Sequence, residues 1–281
     1  MKTNKRSKFY DERFQDKAVH LFKEGKSSKE ISKILNISKT TLIRNLDKLG
    51  YNFDRSVSMQ KYTLNREYFR QINSLEKAYW LGLIYADGSN KVSKNVFVLG
   101  LKQEDSYILE LFKSGIDSNI PIKIGKDKRG NRQEFYRLEI YNKQFCLNLL
   151  KQGVFESKTS ILKPPTINED LVYSFIRGYF DGDGGICTIV DENKSNHFKD
   201  SITFTGTKEI VGYISKYLKE TINVNCSIYE RHPERDNNNY TISINGRLQV
   251  IKLCEKMYEN NNSHYLSRKY EKFLKIKNRY E

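Results

Sequence analysis

The segments WLGLIYADG (Trp80–Gly88) and FIRGYFDGDGG (Phe175–Gly185) are near copies of each other. Aligned, Gly82 falls on Gly178, Ala86 on Gly182, Asp87 on Asp183 and Gly88 on Gly184. Each is an apolar run with a small residue every fourth position, closed by an acid and a glycine. A four-residue spacing returns to nearly the same face of an α-helix. The copies therefore predict two helices with smooth stripes that let their backbones pack closely. Facing stripes would bring Asp87 and Asp183 together where the helices end.

Electrostatics makes such a pair more than a structural ending. A helix C-terminus carries partial negative charge, so a carboxylate there is unfavourable. Two carboxylates about 5 Å apart repel by roughly 3 kcal/mol at an effective dielectric of about 20. A divalent cation between them removes both penalties, and hard oxygen donors suit Mg2+ (or Mn2+) rather than zinc. A solitary Asp-Gly reads as a turn; a doubled one with matching small-residue stripes does not.

At these residues the chain resembles the LAGLIDADG family of homing endonucleases, named for this nine-residue pattern. The acid before the final glycine is the catalytic one in that family, which maps the role onto Asp87 and Asp183. The first copy departs at Tyr85, where the family often has another acid; the second copy has Asp181 there. Two copies in one chain resemble the single-chain, pseudo-symmetric members, so a monomer with internal two-fold pseudo-symmetry is expected.

The rest of the chain agrees with a nucleic-acid partner. Its 281 residues carry 49 Lys and Arg against 34 Asp and Glu, a formal charge of +15. Residues 1–66 hold 16 basic and 7 acidic side chains, so more than half of the excess lies in the first quarter. That balance points to nucleic acid before a membrane or an acidic protein. The 4 cysteines lack a C-x-x-C spacing and the 4 histidines lack an H-x-x-x-H pair, which argues against a zinc site and for a reducing, cytoplasmic setting. No apolar run reaches membrane-spanning length and no signal-peptide core follows the charged N-terminus.

Residues 1–50 read as a helix-turn-helix domain. Ser27 to Glu30 forms a capping box before a helix with Ile31, Ile34 and Leu35 inward. Ser38 caps a third helix, whose buried side is Leu42, Leu46 and Leu49. Its outer residues Lys39, Thr40, Thr41, Arg44 and Lys48 are of the types that reach base edges and phosphates. Residues 51–71 show little periodicity and are expected to be a linker.

Beyond the linker one topology is expected twice, in half-domains at 72–163 and 164–281, with Pro164-Pro165 at the joint. VLGLKQED (98–105) resembles TFTGTKEI (203–210), which suggests that Lys102 matches Lys208. The fold class is therefore α+β: two pseudo-symmetric αββαββα LAGLIDADG half-domains forming a DNA-binding saddle, preceded by a small all-α domain. Strand alternation places Ile122, Ile124, Leu138, Ile140, Ile228, Ile242 and Ile244 inward. Lys123, Arg137, Tyr229, Arg231 and Thr241 then face outward, and the turn carries Arg129 and Arg132. Such an outer face suits hydrogen bonding to major-groove base edges.

The function expected is a site-specific double-strand DNA endonuclease with a long target site. Asp87 and Asp183 would bind the divalent ions with help from the backbone carbonyls of Ala86 and Gly182. The resemblance also implies one lysine per half beside the metals: Lys158 in FESKTSI (155–161) and Lys269 in YLSRKYEKF (265–273), just before the last helix. The alternatives are a non-cleaving DNA-binding regulator on the same scaffold, or an RNA maturase assisting intron splicing. Both fit less well: a scaffold gains nothing from two repelling acids, and a helix-turn-helix favours duplex DNA.

Overall fold

The computed structural model describes residues 12–24, 26–51, 62–126, 134–190, 198–231, 233–235, 238–259 and 264–280. The chain divides into two compact units, with the boundary between Lys61 and Tyr62.

The first unit has three helices: α1 (Glu12–Lys23), α2 (Ser28–Ile34) and α3 (Lys39–Lys48). The capping box opens α2, with Ser27 N donating to Glu30 Oε2 at 2.8 Å and Glu30 N donating to Ser27 Oγ at 3.3 Å. Ser38 Oγ accepts from Thr41 N at 3.1 Å and starts α3. Ala18, Leu21, Ile31, Leu35, Leu42 and Leu46 form the core. Ile34 and Leu49, expected inside, are 50% and 43% exposed. Each lies at the last turn of its helix, where the small bundle no longer covers it.

The second unit begins before the expected half-domain. Tyr68 and Phe69, from the stretch read as linker, are buried, and Phe69 packs edge-on against Phe145 at 5.6 Å. These aromatics follow no helical or strand period, so their burial left no pattern in the sequence.

The order helix, two strands, helix, two strands, helix then occurs twice. The first run is α4 (Leu75–Asp87), β1 (Gly88–Lys91), β2 (Val96–Lys102), α5 (Tyr107–Gly115), β3 (Lys123–Lys126), β4 (Glu134–Tyr141) and α6 (Lys143–Lys151). The second is α7 (Val172–Asp183), β5 (Gly184–Val190), β6 (Phe198–Gly206), α8 (Lys208–Ile222), β7 (Ser227–Glu230), β8 (Tyr240–Asn245) and α9 (Arg247–Tyr258), with α10 (Ser267–Lys277) after it. The strands form two four-stranded antiparallel sheets, ordered β1-β2-β4-β3 and β5-β6-β8-β7. The fold class is α+β, as expected.

Both motif helices lie at the centre of one continuous core. Every residue of α4 from Ala78 to Tyr85 is buried, so that helix is covered all round. The two helices touch through backbone. A Cβ added to Gly82 would lie 2.0 Å from Phe175 O, and one added to Gly178 would lie 1.9 Å from Tyr79 O. One helical turn later, a Cβ on Gly182 would lie 2.2 Å from Ala86 Cβ. The small-residue stripes are thus the seam itself.

Three sequence expectations need correction here. Leu99 pairs with Gly88 and Phe204 with Gly184, so Lys102 corresponds to Thr207, not to Lys208. Ile124 and Ile228 are 60% and 49% exposed rather than inward, because β3 and β7 are short outer strands with one neighbour each. Thr241 is buried rather than outward: β8 lies between β6 and β7, and its hydroxyl is 3.3 Å from that of Thr205.

The seam predicts opposite effects for two glycine substitutions. Gly178→Ala should lower stability by about 3 kcal/mol, because the added methyl meets backbone that cannot rotate away. Gly212→Ala, whose Cβ would meet nothing within 4 Å in helix α8, should raise it by about 1 kcal/mol. Urea denaturation of both variants checks this.

Candidate active site

Helices α4 and α7 end at Asp87 and Asp183, and both following glycines continue as extended strand. Gly88 and Gly184 are required by crowding rather than by a left-handed turn. Their φ values are −75° and −97°, while a Cβ would meet Ile84 O at 2.7 Å or Phe180 Cδ2 at 2.3 Å. Each acid therefore leaves its helix at a fixed point.

The seam brings the two acids together. Asp87 Oδ2 lies 3.0 Å from where a Gly182 side chain would begin, beside Asp183 in the partner helix. Both acids are solvent-exposed on one side and enclosed by protein on the others. This enclosure, with the neighbouring Asp183 charge second, pushes the Asp87 carboxyl up to about 6. Burial likewise raises Asp183, against the pull of Lys158 and Lys269.

Both lysines are buried, and both sit on the helix ends. Lys158, in a single 3-10 turn (Lys158–Ser160), donates from Nζ to Tyr85 O at 2.5 Å and Ala86 O at 2.9 Å. Lys269 donates to Phe180 O at 2.5 Å, Asp181 O at 2.9 Å and Gly184 O at 2.6 Å. Each ammonium thus bonds last-turn carbonyls and offsets the negative end of the dipole. Burial lowers Lys158 below the usual lysine range and brings Lys269 down to about 8. Lys269 lies inside α10, not ahead of it, because its backbone N–H already donates to Leu266 O at 3.0 Å.

The donor set fits a hard divalent cation: two carboxylates, close enough for Asp87 to feel the charge of Asp183, stand at neighbouring helix ends and are open to solvent. Among the described residues no group of three or more His, Cys, Asp and Glu could hold a metal ion, so water or a substrate oxygen would have to complete the coordination. Of the two backbone carbonyls expected as ligands, Ala86 O already accepts from Lys158, which leaves one lone pair. Gly182 lines the cleft beside Asp87.

That cleft, of about 390 Å³, brings in residues to which the sequence reading gave no role at the site. Asp105, Asp181 and Arg268 line it, as does Lys102. Asp181 is not a free acid: Oδ2 accepts from Tyr79 OH and from Leu266 N, both at 2.9 Å, and burial pushes it up to about 6. Asp105 is paired with Arg268 of α10, 163 residues away, which no sequence pattern could have signalled.

The residues expected to meet DNA are dispersed. Lys39, Thr40, Arg44 and Lys48 are exposed on α3, and Thr41 is partly covered because it closes the Ser38 cap at 2.7 Å. On the first sheet Lys123 and Arg137 both hold Glu139, the latter at 2.9 Å. Tyr229 is 50% exposed on β7 and Arg231 is exposed just beyond it. Arg129 and Arg132 lie outside the described residues. No helix among the described residues is long and apolar enough to cross a membrane.

Comparison with known proteins gives the following. Residues 170–258 match the family described as LAGLIDADG-like domain. An uncharacterized protein of Methanocaldococcus jannaschii is 25% identical over 260 residues, spanning 75% of this chain and 95% of that protein. Among solved structures, the LAGLIDADG homing endonuclease I-LtrWI bound to target DNA has a TM-score of 0.48 at 14% identity, over 76% of this chain and 91% of that one. The meganuclease I-SmaMI bound to uncleavable DNA also has a TM-score of 0.48 at 14% identity, over 71% and 87%. The stretch that matches this family takes in the second motif helix, both sheet hairpins that follow it and helix α9.

Proposed function

We propose that this protein is a site-specific endonuclease that cuts both strands of duplex DNA, using one acid from each motif helix. The observation that carries this reading is the meeting of Asp87 and Asp183 across a seam closed to backbone contact, with a lysine behind each.

Asp87 and Asp183 would hold Mg2+ or Mn2+, helped by the carbonyls of Ala86 and Gly182. When bound, such ions activate water, clamp the scissile phosphate and stabilise the leaving oxygen. The chain's own part is to keep both carboxylates ionised and aimed at one point. Lys158 and Lys269 do this by placing positive charge behind the acids, where it also offsets charge developing on a phosphate. The first unit, through Lys39, Thr40, Thr41, Arg44 and Lys48, would add contacts on duplex DNA as a helix-turn-helix domain at 1–50, with Lys123, Arg137, Tyr229 and Arg231 reading a groove from the sheets.

Magnesium-dependent cleavage of a plasmid library with randomised sites tests the reading. Asp87→Asn and Asp183→Asn should each retain binding yet leave the plasmid intact or nicked; full double-strand cleavage by either sinks the shared site. Cleavage by the native chain should fall as pH drops through about 6, because protonation of Asp87 removes the charge that holds the cation. An activity rising over that range would contradict the assignment. Arg44→Ala should weaken DNA binding by about 1 kcal/mol in a gel-shift assay, with the cut position unchanged.

A further inference from the structure

Each candidate lysine belongs to a segment that is tied down by the opposite half. Lys269 lies in the first turn of α10, and that turn is gripped from the first half at two points. Asp105, 4% exposed, takes a bidentate ion pair from Arg268, with Nε to Oδ1 at 3.0 Å and Nη2 to Oδ2 at 2.9 Å. Tyr107 OH accepts from Ser267 N at 2.6 Å and donates to Tyr265 O at 2.9 Å. The two grips hold the backbone immediately ahead of Lys269.

The reciprocal tie runs the other way. Lys158 begins the segment 158–162, and two residues of the second half hold it. Thr207, fully buried, donates from Oγ1 to Leu162 O at 2.5 Å. Asn238 donates from Nδ2 to Ser160 O at 3.0 Å. By strand register Thr207 stands where Lys102 stands in the first half, just ahead of Asp105 and Tyr107. The turn between the second strand and the second helix of each half therefore contributes, at different positions, to holding the lysine segment of the other.

We propose that Asp105 and Tyr107 are positioning residues for Lys269, and Thr207 and Asn238 for Lys158, so that each strand's chemistry is set from across the pseudo-symmetry axis. This rests on the nuclease reading and deepens it. A bidentate pair and hydroxyl bonds to backbone fix its position far better than the flexible lysine stem could by itself. Arg268 itself disfavours the Lys269 charge, and the Asp105 carboxylate paired with it works the other way.

The test uses the full chain and a duplex recovered by cleavage selection, with a different end label on each strand. Lys269→Met and Lys158→Met first assign each lysine to the strand it serves. Tyr107→Phe should then slow the Lys269 strand about tenfold and spare the other, and Thr207→Val should do the converse. Added to Lys269→Met, Tyr107→Phe should change nothing further. Asp105→Asn, the more disruptive variant, should behave as Tyr107→Phe does wherever its thermal melt remains cooperative. Equal slowing of both strands by any of these variants would overturn the proposal, since loss of general stability cannot choose a strand. Absence of cleavage by the native chain would defeat the nuclease reading alone. A crystal structure of the Tyr107→Phe variant then decides the positioning: Lys269 Nζ displaced from Phe180 O and Asp181 O supports it, and an undisturbed ammonium overturns it.

Discussion

Direct backbone contact between the two motif helices is the constraint from which the rest of the second unit follows. Gly82 and Gly178 leave no room for a methyl between one helix and a carbonyl oxygen of the other. At that separation the helices have no side chains between them, so their mutual position is set by hard contact. Covering both helices then requires apolar side chains on every other face, which is why Trp80, Tyr85, Phe175 and Phe180 are all buried. Two halves that would otherwise be separate small domains share one core.

The same contact creates the electrostatic problem that the candidate site answers. Two helix C-termini and two carboxylates converge, all of one sign. Two buried ammonium groups oppose them, each bonded to the carbonyls of one helix end. The balance is incomplete: enclosure still drives Asp87 upward. A purely structural ending would more simply place a neutral residue at either acid. The cost of assembling like charges is the physical reason to assign chemistry here.

The outer surface is less specialised than the helix seam. Lys123 and Arg137 share Glu139, so part of the positive charge on the first sheet is already engaged in the free protein. An exposed arrangement of this kind exchanges partners at little cost, because surface pairs are worth about 1 kcal/mol or less. The exposed cations of α3 have no such competitor in the bonds described for that helix, whose own polar contacts are the Ser38 cap and the Asn45 bond to Thr41 O.

By itself the sequence determined the two motif helices, the αββαββα order and the pairing of Asp87 with Asp183, because helical period, strand alternation and duplication are local and repeat along the chain. It also named both lysines, through resemblance alone. Tertiary structure decided everything that depends on what lies across a gap. It decided that Lys158 and Lys269 are buried on helix ends, that Asp181 is bonded to Tyr79 and Leu266, and that Asp105 reaches Arg268. It decided too that Ile124, Ile228, Ile34 and Leu49 stay exposed while Thr241, Tyr68 and Phe69 are covered. Residue type and spacing report the face on which a side chain lies; only the packing of distant elements determines whether anything covers that face.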